Sequence, residues 1–137
     1  MKWYMLLATS LIFFSACNSQ NATTNSENAT TLDGVLDVDQ FAKILQQTAS
    51  AQLIDVRTAN EFQTGHLANA QNWDFLSGQF QDQIKQLNKD QPVFLYCQRG
   101  GRSHKCYQLL KENGFSQVLD LKGGFLAWQN KNMPVRQ

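Results

Sequence analysis

Cysteine is scarce in this 137-residue chain: Cys17, Cys97 and Cys106 are the whole complement. Three is too few, and the spacing too uneven, for a disulfide scaffold, and no C-x-x-C pair offers zinc-site spacing. An excess of one charge is also missing. Lysine and arginine number 12 against 11 aspartate and glutamate. Setting Lys2 aside makes the signs equal, so nothing drives non-specific nucleic-acid binding and any attraction for anions must be local. The longest apolar run, Trp3 to Phe14, is too short to span a bilayer comfortably. The chain is too short for two ordinary domains, yet with 42% hydrophobic residues it can bury one core.

What is present begins with "MKWYMLLATSLIFFSAC", in which Lys2 precedes the apolar run and the small residues Ser15 and Ala16 follow it. That is a signal-peptide pattern, but Phe14 does not suit an A-x-A cleavage site. The segment resembles a bacterial lipoprotein lipobox. The resemblance implies cleavage after residue 16 and a lipid on Cys17, anchoring the protein to a membrane on the extracytoplasmic, periplasmic side of a bacterial envelope. The rival reading is a short membrane anchor with an incidental cysteine. Residues 18–31, "NSQNATTNSENATT", lack apolar periodicity and cannot bury enough surface to offset their ordering entropy, so residues 17–31 read as an acylated cysteine and flexible tether. The two N-x-T triplets in that tract are expected by chance and are assigned no role.

From Leu32 to Gln137, helical and strand periods alternate, the signature of βαβ units with a parallel sheet. Asp37 and Gln40 fit a capping box ahead of Phe41, Ile44 and Leu45, which line one helix face. "AQLIDV" reads as a buried strand, and Thr58 to Glu61 as a second capping box, so Asp55 and Arg57 fall near a strand's carboxyl end. Phe80, Ile84 and Leu87 mark another helix with Ser77 as its expected N-cap. "VFLYC" is the next strand; a helix carrying Cys106, Leu109 and Leu110 follows, stopped at Gly114, and then comes the strand "QVLDL".

Cys97 therefore lies in a strand-to-helix turn, where open α/β sheets bind ligands and unpaired N–H groups attract anions. The thiolate is the reactive form of cysteine, and a helix N-terminus with nearby cations favours it. Gly100 and Gly101 permit a tight turn whose N–H groups form an anion-binding nest. Arg99 and Arg102 can grip an oxyanion, and Ser103 can cap the helix or join the cradle. The bland alternative is a small buried cysteine beside solvated arginines.

"CQRGGRS" matches the C-x-x-G-x-R-S loop of rhodanese-like sulfurtransferases, and the chain resembles that family elsewhere too. "LIDVRTANEFQTGHLANAQNW" is similar to its D-V-R … E-F … G-H … A-x-N segment, and "VLDLKGGFLAW" to its V-x-x-L-x-G-G-x-x-A-W ending. The resemblance implies an α/β, rhodanese-like fold: a five-stranded parallel sheet with helices on both faces. It makes Cys97 the persulfide carrier, Gln98 to Arg102 its cradle, and Asp55, Arg57 and Glu61 supporting residues. Ala68, Asn69 and Asp74 stand where the family often has Pro, Gly and Pro, and Trp73 replaces a smaller residue. The C-x4-R spacing is one residue shorter than the C-x5-R loop of related cell-cycle phosphatases, which argues for sulfur over phosphoryl transfer.

By the same resemblance, the Cys97 thiolate attacks the outer sulfur of thiosulfate or another small anionic donor, and a thiol or cyanide then takes the sulfur from the persulfide. No metal or organic cofactor is implied, and a protein acceptor is left open. Two rival readings are a non-catalytic sulfur-carrier or partner-binding module and a thiol redox protein using Cys97 and Cys106. Cys106 shares a helix face with Leu109 and Leu110 and reads as buried. His66 reads as structural, His104 as a rim charge, Gly123 and Gly124 as a close turn, Trp128 as core, and Trp73 as a candidate for the pocket mouth.

Overall fold

The computed structural model describes residues 32–137; the leader, Cys17 and the tether expected over residues 1–31 lie outside the described residues. Five strands form one sheet: β1 (Gly34–Leu36), β2 (Gln52–Asp55), β3 (Gln71–Asn72), β4 (Val93–Tyr96) and β5 (Val118–Leu121). Their order is β1-β5-β4-β2-β3, and every pairing is parallel. All five strand carboxyl ends therefore lie along one edge of the sheet. β4 and β5 are buried at every position. This is why "VFLY" and "VLDL" read as nearly continuous apolar runs: a parallel strand covered on both faces has no solvent side to alternate with.

Among the described residues, five helices cover the sheet: α1 (Val38–Gln47), α2 (Ala59–Gln63), α3 (Gln79–Gln83), α4 (Gly101–Glu112) and α5 (Gly124–Asn130). Two cores result, one on each face. Ile54, Leu95 and Val118 pack with Phe80 of α3 and with Cys106 and Leu110 of α4. Leu53, Phe94, Leu119 and Leu121 pack with Phe41 of α1 and with Phe125 and Trp128 of α5. Adjacent strand residues go to opposite cores because side chains alternate across a sheet.

Local signals set most boundaries. Asp37 Oδ1 accepts from the Gln40 N–H at 2.9 Å, so the first expected capping box forms by this half. The second forms completely: Glu61 N–H donates to Thr58 Oγ1 at 3.3 Å, and Thr58 N–H donates back to Glu61 Oε2 at 3.0 Å. α4 stops in a Schellman arrangement at Gly114 (φ +83°), with Gly114 N–H on the Lys111 carbonyl and Phe115 N–H on that of Leu110.

Ser77 is not an N-cap. Asp74 Oδ1 takes the Leu76 N–H at 2.8 Å in a tight turn, and the Ser77 hydroxyl donates back to the Asp74 carbonyl at 3.1 Å. The chain then enters α3 through Gly78 at φ +86°. The expected single helix is also shorter, passing into a 3-10 turn over Ile84–Gln86 while Phe80 and Leu87 remain buried.

Candidate active site

Cys97 directly follows β4, which β2 and β5 flank, so its sulfur sits at the middle of the carboxyl edge. The chain turns through Gly100 (φ +97°) into α4 within four residues. That positive φ is open to glycine at little cost. It brings the Gly100 N–H to 3.1 Å from Cys97 Sγ. The Ser103 hydroxyl, one turn into α4, lies 3.6 Å from the sulfur and donates to the Gly100 carbonyl at 3.2 Å. Gly101 differs from expectation: its φ is not positive, and a Cβ there would meet no atom within 4 Å. The turn needs one glycine, Gly100.

The loop is held from outside by α5. Phe125 N–H donates to the Cys97 carbonyl at 2.7 Å and Leu126 N–H to the Gln98 carbonyl at 3.1 Å. Peptide groups are planar with N–H and C=O opposed. Drawing these two oxygens onto α5 therefore turns the Gln98 and Arg99 N–H groups away from it. Gly124 makes the approach possible, since a Cβ there would stand 2.3 Å from the Cys97 carbonyl oxygen and 2.8 Å from the Gln98 carbonyl carbon. "KGGF" is thus more than a close turn; it is the seat of the Cys97 loop.

Beneath the loop lies a buried ion pair. Arg57 is 1% exposed and Asp55 0%. Arg57 Nε and Nη2 donate to Asp55 Oδ2 at 2.9 and 2.7 Å. The remaining donors reach Gln98 Oε1 at 3.1 Å and the Gly65 carbonyl at 2.6 Å. The guanidinium also lies 4.0 Å from the Phe125 ring centroid. One side chain thereby ties the end of β2, the Cys97 loop and α5 together. Its donors go to protein acceptors, so it supports the site and lines none of it.

Arg102 faces the pocket but is not free. Its two terminal nitrogens bind the two Glu61 oxygens at 2.7 Å each. The completed capping box of α2 aims that carboxylate, and the Arg102 guanidinium holds the Glu61 carboxyl far below its ordinary range, at about 2. Arg99 is exposed. An open pocket of about 370 Å³ results, lined by Glu61, Cys97, Gln98, Arg99, Gly101 and Arg102. Cys97 itself is 1% exposed, so its sulfur forms the pocket floor. A small anion entering here meets two arginines, one already neutralised, and competes with Glu61 for Arg102.

A rhodanese-like domain profile matches residues 37–131. The chain belongs to the rhodanese-like family. It is 34% identical over 106 residues to "Thiosulfate sulfurtransferase GlpE" of Vibrio cholerae, covering 76% of this chain and 97% of the relative. It is 43% identical over 81 residues to "Uncharacterized protein YqhL" of Bacillus subtilis, covering 59% of this chain and 63% of that protein. Among solved structures, a rhodanese-related protein of Thermoplasma volcanium shares the fold with a TM-score of 0.67 at 22% identity, over 76% of this chain and 98% of that one.

In this rhodanese-like domain, Asn69 takes a left-handed conformation (φ +66°) at the position where the family often has glycine; asparagine tolerates that region better than most residues. Trp73 does not border the pocket. It is 6% exposed and packs on Phe80 in the core beneath α3. His66 stacks on Phe62 with ring centroids 3.8 Å apart, and its backbone pairs with Arg136, pinning the carboxyl-terminal tail. His104 is 49% exposed, with Nδ1 3.8 Å from Asp120 Oδ2. Cys106 is fully buried, and burial, then the nearby Cys97 charge, pushes its thiol well above the usual range. Sequence reasoning passed over Asp120, and it read Gly124 as part of a close turn without its contact to the Cys97 loop. The first carried a signal: an aspartate in "VLDL", on the inward side shared with Val118.

Proposed function

We infer that this rhodanese-like protein is a sulfurtransferase that carries sulfane sulfur on Cys97, taking it from thiosulfate or a persulfide and passing it to a thiol or cyanide. The observation that carries the reading is the Gly100 N–H on Cys97 Sγ at 3.1 Å, in a loop whose carbonyls are drawn off by α5. Fixed N–H donors around a sulfur anion stabilise it without reorganisation. The name borne by the Vibrio cholerae relative supports the same chemistry.

In the first half-reaction the Cys97 thiolate attacks the outer sulfur of thiosulfate. A Cys97 Sγ–S bond forms, the S–S bond of thiosulfate breaks, and sulfite departs with its electron pair. In the second, a thiolate or cyanide attacks the terminal sulfur of the persulfide anion, and the Cys97 thiolate leaves. Each half-reaction conserves charge and needs no external oxidant or cofactor. The chain's own task is to hold the anion at each stage: Gly100 and Ser103 at the sulfur, with Arg102 and Arg99 at the rim. Cys106 is a poor partner for a disulfide cycle, because a buried thiol pushed up in this way supplies little thiolate. Steady-state assay of sulfite release and thiocyanate formation is expected to show activity in the full chain and none above background in Cys97→Ser. Equal turnover by both proteins would sink the reading.

The membrane anchor is part of the same proposal and is supported by the "FSAC" pattern at Cys17. Expression with a labelled fatty acid is expected to label the chain and not Cys17→Ser; labelling of neither would remove the anchor.

A further inference from the structure

The Cys97 pocket holds a carboxylate in the place where an anionic donor has to enter. Glu61 lines it together with Arg99 and Arg102. With Cys97 as the thiolate, two positive charges stand against two negative ones, so the lining has no net charge left to attract a substrate. Thiosulfate brings two further negative charges. A persulfide anion brings one.

Glu61 is firmly held. Its Oε2 accepts from the Thr58 N–H and hydroxyl at 3.0 Å each and from Arg102 Nη1 at 2.7 Å, while Oε1 accepts from Arg102 Nη2 at 2.7 Å. Glu61 and Arg102 remain 31% and 21% exposed, so the pair faces the pocket instead of closing into the core. The carboxyl, held at about 2 by Arg102, stays charged throughout the neutral range. A donor that seeks Arg102 has to open this two-pronged contact and leave its own charge beside an unpaired carboxylate. The Coulomb penalty of doing so grows in proportion to the donor's charge.

We propose that Glu61 is a specificity-determining residue that selects the donor by charge: it occupies Arg102 and faces the pocket, so the site takes sulfur more readily from singly charged donors, the persulfides of small thiols, than from the thiosulfate dianion. Thiosulfate still loads Cys97, but at higher concentration. With a persulfide, the Cys97 thiolate attacks the terminal sulfur, a Cys97 Sγ–S bond forms, the donor's S–S bond breaks, and a thiolate leaves with the electron pair. The proposal rests on the sulfurtransferase reading and names which of its donor classes the pocket suits.

Two pairs of probes differ chiefly in charge. Methanethiosulfonate has a methyl group in place of one oxygen of thiosulfate: it offers the same outer sulfur with one negative charge fewer and releases methanesulfinate. Iodoacetate and iodoacetamide alkylate Cys97 without any sulfur transfer and also differ by one charge. Second-order rates for all four, followed by intact mass, are compared between the full chain and Glu61→Gln. Glutamine keeps the cap of α2, since it serves in a capping box as glutamate does. Iodoacetamide reports any change in the thiolate itself and normalises the rest.

Relative to iodoacetamide, Glu61→Gln is expected to speed iodoacetate and methanethiosulfonate about threefold each and thiosulfate roughly tenfold, because each unit of substrate charge gains equally. Raising the salt from about 20 mM to about 0.5 M is expected to erode these gains. Should the glutamine variant fold poorly, Glu61→Ala is expected to show the same dependence on charge in its folded fraction. A structural role alone would slow or speed all four reagents together. Equal changes for thiosulfate and methanethiosulfonate, or an unchanged ratio of iodoacetate to iodoacetamide, overturns the proposal. Failure of both sulfur donors to load the wild type would sink the sulfurtransferase reading alone, since the alkylation ratio still decides whether Glu61 sets the charge that Cys97 reagents meet.

Discussion

Arg57→Met is expected to lose about 3–5 kcal/mol of stability, the cost of removing one partner of a buried ion pair and leaving the other uncompensated. Asp55 is 0% exposed and accepts from Arg57 through both oxygens, so removing the guanidinium leaves a buried carboxylate without its counter-charge. Urea unfolding followed by circular dichroism measures the loss. The Asp55→Leu/Arg57→Met double variant is expected to lose much less than the sum of the two single variants, because it buries no orphaned charge. The same substitution unties Gln98 and Gly65. Sulfur loading in whatever fraction remains folded is therefore expected to fall roughly 10- to 100-fold, the usual result of misplacing a reactive group by about 1 Å. A variant with wild-type stability would show that the pair does not hold the site together.

Gly124→Ala is expected to damage the protein from the other side of the loop. The added Cβ would sit 2.3 Å from the Cys97 oxygen, and residue 124 has φ +61°. The contact is with backbone, which cannot rotate away as a flexible side chain would. Either α5 lifts off the loop, losing the Phe125 and Leu126 N–H bonds, or the Cys97 loop is pushed toward the pocket. Overpacking and the left-handed backbone together are expected to cost about 2–4 kcal/mol in unfolding free energy. Gly101→Ala is the control: its Cβ meets nothing within 4 Å and its backbone is helical, so folding is expected to be unchanged while the pocket floor is narrowed. Equal stability of the two variants would contradict the packing described here.

The central strands and Cys97 loop were legible in the sequence because each carries a local signal. A buried parallel strand is a short apolar run, a capping box is four residues, and a loop of glycine, arginine and serine after a strand stands out on composition. The edge strands were not. β1 has 3 residues and β3 has 2, and strands this short show no period; only the family resemblance supplied the count of five. Ser77 failed as an N-cap because Asp74, three residues earlier, offered the backbone a competing turn. Arg102 was read as a free grip for oxyanions because Glu61, 41 residues away in sequence, comes beside it through tertiary structure. Trp73 looked like a rim residue from its neighbours in the chain, yet alternation across the sheet sends it inward. Gly124 shows the limit most clearly: its requirement is the Cys97 backbone, a contact that no pattern within "KGGF" encodes.

Mass spectrometry of the intact full chain before and after thiosulfate tests the account most directly. The wild-type protein is expected to gain the mass of one sulfur atom, mapped to the Cys97 peptide and removed by cyanide. Cys97→Ser is expected to gain none, while Cys106→Ser gains it as the wild type does. No adduct in the wild type with thiosulfate or an inorganic polysulfide, or an adduct that needs Cys106 instead, would contradict the assignment of Cys97 as the sulfur carrier.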